Sequence, residues 1–210
     1  MEADDVLAYL DSHPDFLSEH AQRYGLRPVQ ERVVSFADRQ LLDLKDRNRQ
    51  LEARLAQLVR HGEQNDQTLA RTHKLSLALM KAATLSDVHA AILQVFAEHF
   101  GLNRVAVRLW HDAASDTQLY NARQDVRLLA GNLSAPYCGP YANDEIISWF
   151  PAVPVLQSFA QLALREGTEP FGIVVIASDD AQRFSFDMQT HYLAQMGELI
   201  SLAMLRVLKA

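Results

Sequence analysis

The chain has few of the groups on which redox, metal and membrane proteins depend. Cys138 is the only cysteine among 210 residues, so no disulfide can form within the chain and no thiolate cage can hold a metal ion. The longest wholly apolar run has only a few residues, far short of the roughly 20 that a membrane-spanning helix needs. Residues 1–5 are acidic, unlike the basic start of a signal peptide. These absences predict a cytoplasmic protein that makes no contact with a membrane.

Basic side chains are also too few to form a nucleic-acid surface. The net charge is −6, and neither half is basic: residues 1–80 carry 11 basic and 13 acidic side chains, and residues 81–210 carry 9 and 13. Proteins that bind nucleic acid through its phosphates concentrate lysine and arginine on one face. The sequence therefore argues against nucleic acid as a partner, while its 49% of hydrophobic residues are enough for a buried core.

Proline is absent between Pro28 and Pro136, and a long helix is predicted early in this interval. Ser35 and Asp38 have the spacing of a capping box, which predicts a helix that covers residues 35–82. From Leu41 onward, apolar residues repeat with the heptad spacing of a coiled coil. The predicted dimerisation positions are Leu41, Leu44, Asn48, Leu51, Leu55 and Leu58.

Asn48 indicates how two such helices would pair. An asparagine at an a position lowers stability but pairs with its symmetry mate, which favours a parallel, in-register homodimer. Arg47 and Glu52 lie at the flanking g and e positions, where opposite charges meet between chains. The alternative is an amphipathic helix that packs on its own domain and leaves Asn48 exposed. The seam weakens at Gly62 and Asn65, where we expect a kink, a splay or a change of packing partner.

The rest of the chain predicts an α+β domain over residues 83–210, preceded by short helices over 1–34. A helix is predicted from Ser86 and Asp87 to Gly101. Alternating apolar residues predict strands over 104–110 and 117–122, and a hairpin of two further strands turns at Gly167. Residues 123–142 have no readable element, Asn143 begins a short helix, and a long amphipathic helix closes the chain. This order indicates an antiparallel sheet flanked by helices.

Two sets of short motifs carry a resemblance to known families. The closing hairpin and helix contain Leu162-Ala163-Leu164, Phe171-Gly172-Ile173-Val174-Val175, Ser178 and Phe184-Ser185, a succession that resembles a GAF domain. A second set of motifs runs from about Val6 to Leu205: Tyr9-Leu10, His13-Pro14-Asp15-Phe16, Val34-Ser35, Arg39-Gln40, Asn65-Asp66, Cys138-Gly139-Pro140, Ser158, Ala160, Ser178-Asp179 and Arg183-Phe184. With this set the chain resembles a bacterial family, domain of unknown function 484.

The resemblance implies a helical arm followed by a GAF-like domain, and GAF relatives bind cyclic nucleotides, bilins, haem or small metabolites or only dimerise. Three of their chemistries are disfavoured by the sequence. The Asn-Lys motif of cyclic-nucleotide binding is missing, since no lysine stands between Lys81 and Lys209. A bilin-attaching cysteine is normally followed by histidine, whereas Gly139 follows Cys138. Relatives that reduce methionine sulfoxide use several cysteines, whereas Cys138 is the only one in this chain. The cofactor, if there is one, is therefore unknown.

Aromatic and polar residues around the irregular segment are the candidates for a small-molecule pocket. They are Arg108, Trp110, Tyr120, Tyr137, Cys138, Tyr141, Trp149 and Phe159. The alternative is that they fill the core between sheet and helices. The helical histidines lack the spacing of metal ligands.

The sequence thus predicts a non-enzymatic, homodimeric GAF-like sensor, in which a ligand or protein partner biases the arrangement of the two long helices. The alternatives are a protein-interaction scaffold without a ligand and, more remotely, thiol chemistry at Cys138.

Overall fold

The computed structural model of the chain describes residues 3–26 and 36–210. The chain divides into two units, Met1–Val59 and Arg60–Ala210, and the division falls just before Gly62, where the heptad pattern weakens. The finer division into residues 1–34, 35–82 and 83–210 stays a prediction.

The first unit contains two short helices, α1 (Ala3–Ser12) and α2 (Phe16–Glu19), and the beginning of a much longer one. No residue of α1 or α2 is buried. The ring of Tyr9 stacks on His13, with centroids 4.4 Å apart, and meets the edge of Phe16 at 5.6 Å. Local aromatic contacts therefore hold the two helices together.

The long helix α3 spans Phe36–Lys81, which confirms the predicted element, and it is helical through Gly62 and Asn65. Its proposed cap, Ser35, lies outside the described residues. At the far end, the guanidinium of Arg206 donates to the carbonyls of Leu79 at 2.9 Å and Ala82 at 2.5 Å, so the last turn of α3 is closed by a cation.

In the second unit, α4 spans Leu85–Phe100. The expectation that Ser86 begins this helix is wrong by two residues, because Thr84 is the N-cap. Asp87 N–H donates to Thr84 Oγ1 at 3.1 Å, and Thr84 N–H donates back to Asp87 Oδ2 at 3.0 Å, which completes a capping box. Gly101 ends the helix at φ +66°, as predicted.

Four antiparallel strands form one sheet in the order β1-β4-β3-β2. Their bounds are Val105–Leu109 for β1, Tyr137–Gly139 for β2, Ser158–Glu166 for β3 and Glu169–Ser178 for β4. The predicted hairpin is confirmed: β3 and β4 pair on either side of Gly167, whose φ is +60°. Because β4 is central and covered on both faces, its apolar run is buried throughout rather than at alternate residues.

The predicted strand over residues 117–122 is wrong. Asp112–Ala114 form a 3₁₀ turn, and Tyr120 makes only a single parallel bridge to Leu109. The strand does not continue because Asn121 Oδ1 accepts the N–H of Arg123 at 2.8 Å, an Asx turn that redirects the chain.

Residues 123–142, which had no readable element, contain α5 (Gln124–Asn132) and β2. The next helix, α6 (Asp144–Ser148), is the short helix predicted, with Asn143 Oδ1 accepting the N–H of Ile146 at 2.9 Å. The closing helix, α7, spans His191–Leu208.

Two apolar cores lie on opposite faces of the sheet. The α4–α7 face packs α4, α7 and the end of α3 against the sheet, and it includes Leu75, Phe96, Leu162, Ile176 and Ile200. The α5–α6 face is smaller and consists of Val126, Ala130, Ile146, Phe159, Ile173, Val175 and Ala177. The α+β class predicted from the sequence is thereby confirmed.

Candidate functional site

Four of the eight predicted pocket residues lie on the α5–α6 face: Arg108, Trp110, Trp149 and Phe159. The guanidinium carbon of Arg108 lies 5.0 Å from the centre of the Trp149 ring, within cation–π range. Trp110 Nε1–H donates to the carbonyl of Pro170 at 2.7 Å, so its polar atom ties β1 to the hairpin. Phe159 is buried in the small core.

A ring of polar groups surrounds the carboxylate of Glu145 beside this cluster. Glu145 Oε1 accepts from Trp149 Nε1 and from Asn121 Nδ2, each at 3.1 Å, and Arg123 lies 3.6 Å from Oε2. The bond from Trp149, followed by that from Asn121, lowers the pKa of Glu145. The carboxylate therefore remains anionic and orients the indole under Arg108.

Arg108 is a half-buried cation of this face, and the charge of Glu145 acts on it without a direct ion pair. Its Nη1–H donates to the carbonyl of Val107 at 2.9 Å, and no ion pair to it is formed within residues 3–26 and 36–210. Burial lowers the pKa of Arg108. Burial also lowers the pKa of His89, and the positive charge of Arg108 lowers it further. A half-buried positive charge of this kind suits a small anion.

The other four predicted residues do not join the cluster. Tyr137 and Cys138 lie in β2, and the hydroxyl of Tyr137 accepts the N–H of Tyr141 at 3.2 Å. The side chain of Tyr141 is exposed, and Tyr120 is half-buried at its bridge to β1. Cys138 packs on the α4–α7 face, on the other side of the sheet from Arg108.

Side chains occupy the space between the sheet and α5. Val126, Ala130 and Ile146 have no exposed surface, and neither do Ile173 and Val175 beneath them. A ligand seated in this layer would have to displace one of them. The cluster of Arg108 and Trp149 at its margin is therefore the part of the predicted site open to a ligand.

Cys138 has the properties of a structural cysteine. It is 5% exposed, and burial raises the pKa of its thiol to about 11. The reactive form of cysteine is the thiolate, which is scarce at neutral pH for such a group. In the part of the chain that the structure describes, no group of three or more His, Cys, Asp or Glu could hold a metal ion.

The predicted dimerisation residues lie in the first part of α3. The leucines at 41, 44, 51, 55 and 58 are exposed to between 52% and 67%. Asn48 is also exposed, and its Nδ2 donates to Oε1 of Glu52 at 3.2 Å within the same helix. In the second unit, by contrast, Leu75 and Leu79 of the same helix are buried in the core.

A cleft that sequence reasoning missed lies beside the outer edge of β3. It has a volume of about 400 Å³ and is lined by residues 133–136, the end of β3 and α7. Arg165 closes one end: its guanidinium donates to the carbonyls of Ala130 at 2.9 Å and Leu133 at 2.9 Å, at the end of α5. Pro136 directly before β2 was a signal that the neighbouring strand stops there.

The fold defines the class of this protein. The chain is similar to the GAF domain of an Acinetobacter phosphoenolpyruvate-protein phosphotransferase, with 12% identity, 66% of this chain and 92% of that chain covered, and a TM-score of 0.51. The chain is also similar to the GAF domain of the Coxiella burnetii phosphoenolpyruvate-protein phosphotransferase, with 11% identity, 66% of this chain and 93% of that chain covered, and a TM-score of 0.50. A third similar structure is free methionine-R-sulfoxide reductase from Neisseria meningitidis in complex with its substrate. Its identity is 15%, 66% of this chain and 88% of that chain are covered, and the TM-score is 0.50. At these identities the likeness shows a GAF-like fold.

The family follows from the sequence itself. Residues 1–208 match the model of the protein family of unknown function DUF484, and the chain belongs to that family. No curated protein matches the sequence. Because one structural neighbour is a reductase, the fold alone does not decide between a regulatory and a catalytic role. None of the described helices is long and apolar enough to cross a membrane.

Proposed function

We propose that this protein is a non-enzymatic regulatory module that forms a homodimer through a parallel coiled coil of the first part of α3. The observation that carries the proposal is the row of five exposed leucines at the a and d positions between Leu41 and Leu58. A row of this length on one helix face loses its contact with water when a second copy supplies the same row.

The residues that flank the row specify a parallel pair. Arg47 at g faces Glu52 at e of the partner in a parallel arrangement, where the opposite charges attract. Asn48 would exchange its present bond to Glu52 for one to its symmetry mate. In an antiparallel pair Asn48 would instead face leucine, which leaves a polar amide unpaired.

A role without catalysis is supported by Cys138 and by the packing on the opposite face of the sheet. The one thiol of the chain is buried with a raised pKa, and the layer between the sheet and α5 is filled by side chains. An interaction module is therefore better supported than a sensor that encloses its ligand.

Size-exclusion chromatography with light scattering tests the dimer. The intact chain should have twice its mass of 23.6 kDa. The double variant L51K/L55K, which places charges in the seam, should be monomeric. The matched control Q50K/A53K adds the same charges to the exposed outer face and should remain dimeric. A monomeric intact chain, or a dimer in both variants, would contradict the proposal.

Orientation is tested by a disulfide trap. The variant N48C/C138S should cross-link to completion under mild oxidation, because a parallel, in-register pair places the two residues at position 48 opposite each other. The same substitution at the outer position, A53C/C138S, is the control and should cross-link slowly. Efficient cross-linking only at the control position would show a different pairing.

A second function is favoured by Arg108: sensing of a small anion at the margin of the α5–α6 face. Its guanidinium is half-buried over Trp149 and forms no direct ion pair with a carboxylate among the described residues. Native mass spectrometry of freshly purified protein should then detect a bound small anion that is absent from Arg108→Gln. An empty intact protein and unchanged spectra in the variant would remove this second function.

A further inference from the structure

β3 is longer than the strand that covers its outer edge. β2 has three residues and pairs with β3 only at residues 159–161, whereas β3 has nine residues. The register of Tyr137 with Gln161 would place Ala135 opposite Ala163, but the chain bends away over residues 134–135. The cleft of about 400 Å³ lies where the missing part of β2 would run.

Hydrogen bonds at the other side of the hairpin fix the direction of its main-chain groups. Ala177 N–H donates to the carbonyl of Arg104 at 2.9 Å, and the carbonyl of Phe171 accepts the N–H of Trp110 at 2.9 Å. The main-chain N–H and C=O groups of odd-numbered residues of β4 therefore point to β1, and those of even-numbered residues point to β3. The register pairs even with even, so the odd-numbered residues of β3, including Ala163, point their N–H and C=O groups to the outer edge.

Ala163 is the odd-numbered residue of β3 whose edge groups remain open. Gln161 pairs with Tyr137 in β2, and Arg165 N–H donates to Ser201 Oγ at 3.1 Å. Within the described ranges, no backbone hydrogen bond from residues 133–136 reaches Ala163. One donor and one acceptor thus face the cleft side by side, the arrangement that a neighbouring strand completes.

The cleft is lined by both apolar and polar residues, and its charged groups are engaged or peripheral. Leu162 of β3 and Leu193 of α7 line it, and Gly197 adds a position of α7 that has no side chain. The guanidinium of Arg165 already donates to four main-chain carbonyls, those of Ala130, Gly131, Leu133 and Thr168. Glu198 is exposed at the rim. The cleft therefore favours a neutral, apolar chain that presents an amide.

We propose that the outer edge of β3 binds a short extended peptide from a partner protein, which adds as a strand by pairing with Ala163 and places small apolar side chains against Leu162 and Leu193. Extended peptides bind open sheet edges through main-chain bonds, with side-chain pockets for specificity. A strand of three residues covers about 10 Å, which suits the part of β3 that β2 leaves open. The inference deepens the proposed interaction role but uses a surface separate from the coiled coil.

Fluorescence anisotropy with the full chain tests this site. The probe is the peptide Val-Ala-Val-Lys-amide, which carries fluorescein through an N-terminal Gly-Gly spacer; its lysine is placed to meet the rim carboxylate of Glu198. A matched probe is N-methylated at its alanine, which removes the central N–H but keeps the apolar groups. We expect the methylated probe to bind at least tenfold more weakly. Hydrogen exchange should slow at residues 162–164 only with the parent probe.

Two alanine-to-tryptophan variants locate the binding. Ala194 is an exposed residue of α7 that lines the cleft, and A194W should weaken binding of the parent probe at least tenfold by filling it. A90W changes an equally exposed alanine of α4, outside the cleft lining, and should leave binding unchanged.

Three results would overturn the proposal: no binding of the parent probe, equal binding of the methylated probe, or equal binding to A194W. A dimer that survives L51K/L55K and dissociates in A194W would also overturn it, because the edge would then pair with a second copy. Light scattering on the same samples separates a failure at the cleft from a failure of the coiled coil.

Discussion

The two parts of α3 share one heptad register but differ in what covers their leucines. Leu55, at an a position in the first unit, is 62% exposed, whereas Leu79, at a d position in the second unit, is 3% exposed. The difference lies in which heptad positions are covered. The buried residues near the end of α3 are Thr72, Leu75 and Leu79, at d and g positions, whereas the g positions of the first part hold Arg47 and Arg54. Apolar residues beyond a and d are typical of a helix packed on a core, and a strict a/d seam is typical of a coiled coil.

The largest effect is expected when a leucine of each part is replaced by alanine. Leu75→Ala should lower the free energy of unfolding of the second unit by about 2–5 kcal/mol, because Leu75 has no exposed surface and its truncation leaves a cavity in the core. Urea unfolding followed by tryptophan fluorescence measures this unit alone, since Trp110 and Trp149 both lie in it.

Leu55→Ala is the matched control for that measurement. Its side chain is 62% exposed and lies in the first unit, so the tryptophan-detected unfolding should shift by less than about 0.5 kcal/mol. Equal losses in the two variants would show that the two parts of α3 do not differ in the way that their exposure indicates.

The next effect concerns the polar residue of each part. Asn48→Leu should tighten the homodimer by about tenfold or more, on the order of 1.4 kcal/mol, because a buried amide in a seam costs stability. The variant should also lose its preference for a parallel pair. Sedimentation at several protein concentrations measures the dissociation constant.

Thr72 supplies the comparison in the second part. It is 6% exposed, and its Oγ1–H donates to the carbonyl of Thr68 at 2.9 Å. Thr72→Val should leave the dimer constant unchanged and alter only the unfolding of the second unit. If Asn48→Leu weakens the dimer, position 48 is not in the seam.

A smaller effect is expected at the end of α3. Arg206→Met removes the hydrogen bonds to the carbonyls of Leu79 and Ala82 and should destabilise the second unit by about 1 kcal/mol. Arg206→Lys keeps the charge but not the planar guanidinium, so its stability should lie between those of the intact chain and Arg206→Met. Thermal unfolding measures the order, and an unchanged Tm in Arg206→Met would show that the helix end needs no cation.

The smallest effect is a pH dependence confined to the second unit. Burial, with the charge of Arg108 added, lowers the pKa of His89 below its ordinary value of 6.5. The unfolded chain therefore binds more protons than the folded one below about pH 6.5, and stability should fall as the pH decreases through that range. His89→Gln should flatten this part of the profile, and the homodimer should show no matching change. A steeper profile in the variant would mean that His89 is protonated in the folded state.

The sequence predicted those elements whose signal is local. The β3–β4 hairpin combines an apolar run with a glycine turn, and Asn143 caps α6 through its own side chain, so both were visible in the residues themselves. α5 was not, because its helix depends on burying Val126 and Ala130 and on Arg165, which lies more than 30 residues away. Tertiary contacts of this kind leave no mark in a short stretch of sequence.

The candidate site divides in the same way. The residue types of Arg108 and Trp149 predict pocket residues, and the fold brings the two side chains together. Cys138 was selected by its position in an irregular segment, but a three-residue strand fixes it there and turns it toward the opposite face. The cleft beside β3 arises from a difference in length between two strands, and such a difference becomes visible only when they are paired.

Arg165 has a consequence for the order in which parts of the second unit open. One guanidinium holds carbonyls at the end of α5 and in the β3–β4 turn, so α5 cannot separate from the hairpin without losing these bonds together. In native-state hydrogen exchange, α5 should therefore open with the hairpin as one cooperative unit, at a free energy above that of α6, its neighbour in sequence. In Arg165→Met the opening free energy of α5 should fall to that of α6, so the amides of α5 should exchange faster.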